Sequence, residues 1–167
     1  MIFNGCLKVP DQIILDPSTV KQALEIAIQQ IGKPYVFGSR GPNEFDCSGL
    51  IVWSYKQVYP KLKLRIGNRL VDDANIDELW KYNIHHVDNR EIKPGDIMFI
   101  TGNKKTITHG GLFLRWIEQG SFEYINASSY YEHEKVVIDT FPLNGTKRDQ
   151  WYIGAGRLKT SYKTLTS

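Results

Sequence analysis

Apolar positions recur at helical spacing early in the chain and run in short strand-like blocks later. Val20, Leu24, Ala27 or Ile28, and Ile31 fall on one face of a helix. Asp16 and Pro17 supply its start, the first as N-cap and the second at the first helical position. Gly32 is placed to end that helix, and Pro34 forbids its continuation. Leu50, Ile51, Ser54, Tyr55 and Val58 predict a second helix, terminated by Pro60. Between the two, Pro34, Gly38, Gly41 and Pro42 break the chain into a loop. Residues 61–90 read as loops around one short helix from about Asp72 to Tyr82. After that the period changes. Pro94-Gly95-Asp96 reads as a turn, Ile97–Ile100 as a short apolar strand, and Gly102–Lys105 as a hairpin-type loop. The runs 107–116, 121–127, 135–141 and 151–158 read as strands, with turns at Gly120 and Asn144-Gly145. Residues 160–167 read as a polar tail.

Helices followed by an antiparallel sheet make an α+β layout. The 167 residues suffice for one domain, residues 1–167, with its core over about 16–158. Hydrophobic residues at 41% and charged ones at 23% exclude a disordered chain. The net charge is only +3, and the short cluster Lys61, Lys63 and Arg65 reads as a solvated face. No motif supports nucleic-acid binding. No run of about 18 apolar residues occurs, so no membrane span is expected. Two cysteines, Cys6 and Cys47, cannot make a disulfide scaffold, and Cys6 is read as a free or buried thiol. His85 and His86 are adjacent, so their side chains do not converge on one metal. Glu132-His133-Glu134 reads as a charged loop or strand end. Neither a metal nor a cofactor is expected.

The chemistry begins at Cys47, which stands between the Gly/Pro-rich loop and the second helix. At a helix N-terminus the first-turn N–H groups and the dipole favour a thiolate. His109 opens an apolar strand-like run and is suited to take the thiol's proton. Gly110 and Gly111 leave room beside its ring for a substrate or a packed backbone. Asn126 can accept the other imidazole N–H and fix the tautomer, and the Cys47 N–H can donate to a tetrahedral oxyanion. Taken singly, each has a structural reading: a core thiol, a structural histidine, a turn asparagine. Cysteine, histidine and polar orienter, in that order, are the working order of a papain-type cysteine peptidase. The expected fold is papain-like, with N-terminal helices, including a nucleophile helix, packed on an antiparallel sheet.

Four motifs sharpen this: Gly32-Lys33-Pro34-Tyr35, Phe45-Asp46-Cys47-Ser48-Gly49-Leu50, Ile92-Lys93-Pro94-Gly95-Asp96-Ile97-Met98-Phe99 and Thr108-His109-Gly110-Gly111. On these motifs the chain resembles the NlpC-type family of papain-like cell-wall cysteine peptidases, over roughly residues 20–157. The resemblance implies Cys47 as nucleophile, His109 as base and Asn126 as the third catalytic residue. It also implies Tyr35 near the nucleophile, and Asp46 with Ser48 in substrate recognition. Asp46 is expected to attract a free ammonium at the stem peptide's N-terminus, or else simply to cap the helix. The implied reaction is hydrolysis of the bond between γ-D-glutamyl and a diamino acid in peptidoglycan stem peptides. The implied partner is peptidoglycan or a muropeptide. The chain departs from the family in three places. Asn126 stands where a histidine is most frequent, and Phe37-Gly38-Ser39 where an aromatic-Gly-Gly often occurs. Of a Pro-Arg-Ser/Thr signature only Arg65 remains, a further substrate-binding candidate.

Two other readings share the sequence. One is an N-acylmuramoyl-L-alanine amidase, or another amidase or acyltransferase with the same Cys-His pair. The other is a wall-binding module with a dead site, disfavoured because Cys47 and His109 are both present. No export signal is recognisable, so the chain is expected to be made in the cytoplasm. It would then reach the wall through a phage tail or a secretion system, or act on imported muropeptides. A delivery or immunity partner would accompany the first two routes, and the sequence names none.

Overall fold

The computed structural model describes residues 8–118 and 120–164; Cys6 lies outside the described residues. Helix α1 (Pro17–Ile28) starts where Asp16 accepts hydrogen bonds from the Thr19 N–H at 3.0 Å and the Thr19 hydroxyl at 2.7 Å. It buries Val20, Ala23, Leu24 and Ala27. It ends at Ile28, and the predicted face position Ile31 is exposed in the turn beyond. Helix α2 (Cys47–Val58) begins at the predicted nucleophile, with Asp46 as its N-cap. Helix α3 (Ile76–Tyr82) starts four residues later than Asp72, because Asn75 and Glu78 form a reciprocal capping box there.

Among the described residues nine strands follow: β1 (Asp11–Ile14), β2 (Leu64–Ile66), β3 (Arg69–Val71), β4 (Ile84–Val87), β5 (Ile97–Thr101), β6 (His109–Glu118), β7 (Ser121–Ser128), β8 (Lys135–Pro142) and β9 (Trp151–Tyr162). The main sheet has the order β1-β9-β5-β6-β7-β8, with β4 also pairing β9, and every pairing in it is antiparallel. Strands β2 and β3 form a separate hairpin. The papain-like α+β architecture read from the sequence is the architecture found.

Side-chain alternation on the central strand β5 divides the core. Ile97 and Phe99 face the cluster that holds Leu50, Ile51 and Tyr55 of α2. Met98 and Ile100 face a second cluster of Phe113, Phe122, Tyr124 and Phe141. Helix α2 packs against α1, β6 and β7. The Pro94–Asp96 turn ties the layers together. The Tyr55 hydroxyl donates to the Gly95 carbonyl at 3.0 Å, and a Cβ on Gly95 would lie 2.7 Å from the Val20 carbonyl oxygen of α1. The fully buried Asp96 accepts from the Lys93 N–H at 2.7 Å and pairs with Arg157 of β9 at 3.0 Å.

The polar tail is corrected at its start. Residues 160–162 belong to β9 and pair with β1, and Thr160 and Ser161 are buried. The Thr160 hydroxyl accepts from the Lys63 N–H, and the Ser161 N–H donates to the Lys63 carbonyl at 2.7 Å. These polar residues are core because each buried donor or acceptor meets a partner on a distant segment.

Candidate active site

The loop before α2 delivers Cys47 to the first helical position, and Asp46 fixes that delivery. Its Oδ1 accepts from the Gly49 N–H at 2.6 Å, the Ser48 hydroxyl at 3.2 Å and Arg40 Nη1 at 2.9 Å. Its Oδ2 accepts from the Gly38 N–H at 3.1 Å. Asp46 is 9% exposed and its charge is met by Arg40, so the capping role, the plainer of its two sequence readings, is the one these contacts describe. Arg40 also donates to the Ser48 hydroxyl at 2.8 Å, the Ala74 carbonyl at 3.1 Å and Asp73. Gly49 is required beneath this loop: a Cβ there would lie 2.2 Å from the Ser39 carbonyl oxygen.

His109 is the first residue of β6, and Asn126 lies on the neighbouring β7. His109 Nε2 and Asn126 Oδ1 are 2.9 Å apart, which leaves Nδ1 as the ring nitrogen for proton exchange. With the side-chain oxygen as acceptor, the Nε2 position carries the proton. Asn126 is itself buried, and its amide donates to the Val137 carbonyl of β8 at 3.4 Å. Gly111 makes the pairing possible. A Cβ there would lie 2.3 Å from the Ile125 carbonyl oxygen, 2.6 Å from the Tyr124 ring and 2.8 Å from Asn126 Cβ. A Cβ on Gly110 would meet Ile76 of α3 at 2.8 Å. The paired glycines therefore admit packed protein atoms.

Burial pushes the Cys47 thiol up to about 12, reinforced by the Asp46 carboxylate; the Ser48 amide and Arg40 oppose it. Burial likewise pulls the His109 imidazole below its usual 6.5, against the Asn126 hydrogen bond. The two directions favour a neutral thiol and a neutral imidazole. Desolvation thus opposes, and the first-turn amides support, the thiolate expected at the helix N-terminus, and both side chains are partly exposed.

Tyr35 sits at the same place. Burial raises its hydroxyl pKa first, then the neighbouring Cys47 and Asp46, and its hydroxyl hydrogen-bonds Ser129. Ser48 is buried between Asp46 and Arg40. Arg65 is committed elsewhere: Nη1 donates to the Gly67 carbonyl at 2.7 Å, and the guanidinium lies 5.6 Å from the Tyr82 ring centre. The site thus draws Tyr35, Asp46, Cys47 and Ser48 together on one side and joins His109 to Asn126 on the other. The Gly67 carbonyl and the Tyr82 ring that Arg65 contacts belong to neither side.

Three neighbours escaped the sequence reading. Arg40 braces Asp46, and Tyr124 flanks the His109 ring with centroids 6.3 Å apart. Arg148 lines the cleft beside His109 from a turn 39 positions further along the chain. No spacing rule joins these residues to Cys47 or His109. Only the two-residue period of β7 marks Tyr124, on the same strand face as Asn126. Among the described residues, no three of His, Cys, Asp or Glu converge to hold a metal ion. His86 instead packs edge-on to Trp80, with centroids 4.5 Å apart. Among the described residues, no helix is long and apolar enough to cross a membrane.

A model of the NlpC/P60 family matches residues 32–157. The chain belongs to the NlpC/P60 family. Among proteins related to this NlpC/P60 chain is a gamma-DL-glutamyl hydrolase of Bacillus subtilis (strain 168), 34% identical over 130 residues. That match covers 76% of the chain and 27% of the relative. The murein DD-endopeptidase MepH of Escherichia coli (strain K12) is 29% identical over 150 residues, covering 87% of the chain and 48% of the relative. The chain thus spans about a quarter to a half of the length of these relatives. In three dimensions it is similar to NlpC1 from Trichomonas vaginalis, with a TM-score of 0.61 and 24% identity. That superposition covers 89% of the chain and 47% of the solved structure, and it shows the shared fold.

Proposed function

We propose that this NlpC/P60 domain is a cysteine endopeptidase that cleaves peptidoglycan stem peptides at the γ-D-glutamyl–diamino acid bond. The observation that carries the chemistry is the His109–Asn126 hydrogen bond of 2.9 Å; His109 lines a cleft, and Cys47 stands at the first position of a capped helix. A histidine whose Nε2 is fixed presents Nδ1 to a thiol and later to a leaving amine. His109 takes the Cys47 proton as sulfur attacks the carbonyl carbon. The Cys47 N–H donates to the oxygen that becomes anionic. Collapse expels the amine, which takes the proton from His109 and leaves a thioester. Water, deprotonated by His109, hydrolyses the thioester and restores the thiol.

The choice of bond is supported by the relative named for γ-glutamyl hydrolysis, at 34% identity. The relative named as a DD-endopeptidase makes the peptide cross-link the competing bond. Mass spectrometry of purified muropeptides incubated with the protein separates the outcomes. A new γ-D-glutamyl carboxyl terminus is the expected product. Opened cross-links with intact stems would assign the DD bond, and release of whole stems from muramic acid would make the protein an amidase.

A further inference from the structure

Beside His109 lies a cleft of about 290 Å³. Its walls include Tyr124, Ser129, Tyr130, Tyr131, Arg148 and Gln150. Arg148 is the one permanently charged side chain among its described lining residues; the others offer neutral hydroxyl or amide groups, apart from the His109 imidazole. The guanidinium carbon stands 3.7 Å from the Tyr130 ring centre, and the Tyr131 ring lies 4.5 Å from that of Tyr130. Nη1 of Arg148 donates to Asp139 Oδ2 at 2.8 Å. Asp139 also pairs with Lys147 at 2.8 Å, so one carboxylate answers two cations. The exposed Asp149 is not among the lining groups. Arg148 and Asp149 both hold φ of 56°, in a two-residue turn closed by Lys147 and Gln150. That left-handed pair is unfavourable for residues with a Cβ, and such strain persists where the surroundings demand it. Asp139, the Tyr130 ring and the strained turn together hold the guanidinium in place before any ligand arrives.

We propose that this cleft is a subsite for a carboxylate on the amine-side residue of the scissile bond, with Arg148 as the specificity-determining residue. The proposal rests on the endopeptidase reading above. His109 must hand its proton to the leaving amine, so the residue attached to that amine lies along the His109 wall. Donors of Arg148 not used by Asp139 form charge-assisted hydrogen bonds to the incoming carboxylate. The carboxylate has two sources: the α-carboxylate of a terminal residue, or the side-chain carboxylate of a diaminopimelate.

Four peptides distinguish them: L-alanyl-γ-D-glutamyl-L-lysine, its α-amide, the meso-diaminopimelate analogue, and that analogue amidated on its side chain. Amidating the recognised carboxylate is expected to lower kcat/KM by about tenfold or more. Arg148→Gln is expected to bring the acid-to-amide ratio close to one, and Arg148→Lys to leave it intermediate. Calorimetry on the Cys47→Ala protein with the same peptides reads the preference without turnover. If neither amidation changes kcat/KM or affinity, or if Arg148→Gln lowers acid and amide by the same factor, the subsite assignment is overturned. If the unsubstituted protein cleaves none of the peptides, the endopeptidase reading fails. Acid-selective binding, lost in Arg148→Gln on the Cys47→Ala background, would then still uphold the cleft.

Discussion

Cys47 and His109 set the pH behaviour at the scale of single residues. Attack needs a neutral imidazole, and burial lowers the His109 pKa below 6.5, so the acid limb of kcat/KM should fall below that pH. The Cys47 thiol, pushed up to about 12, stays protonated across the neutral range. Alkylation of Cys47 by iodoacetamide should therefore rise only at alkaline pH. A plateau of rapid alkylation at pH 4–6 would instead reveal a preformed ion pair. Cys47→Ala should abolish turnover while the fold persists, because little volume is lost. His109→Ala should cost ~10²–10⁴-fold in rate, the range of general acid–base catalysis. Asn126→Ala should cost less, since Asn126 orients the ring and carries no proton. A fully active His109→Ala protein would remove the dyad. Asp46→Asn should lower kcat/KM equally on stems with free and with glycan-linked N-termini, because the carboxylate serves the helix cap and Arg40. A loss confined to free stems would restore the ammonium role.

At the scale of elements, the pairing of β6 with β7 builds the histidine side of the site. Gly111 is the position where the two strands, Tyr124 and Asn126 crowd together. Gly111→Ala places a methyl against the Ile125 carbonyl, so the strands must part or shift. An overpacked site of this kind costs about 1–3 kcal/mol. The expected result is a lower melting temperature together with a loss of kcat greater than that in Asn126→Ala, since the His109 ring moves as well. Unchanged melting and full activity would show that β6 and β7 do not need this close approach. The thiol side depends on a different device, the cap of α2. That cap was legible from Asp46 and Cys47 in sequence, whereas its Arg40 brace was not.

For the whole molecule, the Asp96–Arg157 pair fastens the turn before the central strand β5 to the long strand β9. Asp96 is fully buried and Arg157 is a quarter exposed. Removing one partner of a buried pair leaves the other uncompensated, which costs about 3–5 kcal/mol. Asp96→Ala should therefore lower the melting temperature by roughly 6–20 °C in a domain of this size. The same variant should bind thiol probes at Cys47 normally at low temperature, since neither residue lines the catalytic cleft. A shift of under 2 °C would mean that the packing of Tyr55 and Val20 on the turn suffices alone.

The sequence by itself determined the two early helices and the five later strands, and it offered Cys47, His109 and Asn126 as the candidate chemistry. These follow from local rules: caps, breakers, period, and the needs of a nucleophile. The tertiary structure decided what local rules cannot encode. Strands β1 to β4 are three or four residues each, too short to show a period; β1 and β4 exist because the long strand β9 offers them hydrogen bonds, and β2 and β3 because they pair with each other. Thr160 and Ser161 look like a tail in composition, yet they are buried because β1 and Lys63 supply their partners. Arg65 reads as a substrate-binding candidate, and its bond to the Gly67 carbonyl within its own hairpin is a contact that only the fold reveals. The neutral charge state expected for Cys47 and His109, and the place of Arg148 beside them, depend on burial and on contacts between distant segments. Burial is a property of the packed chain as a whole, so no reading of neighbours in sequence supplies it.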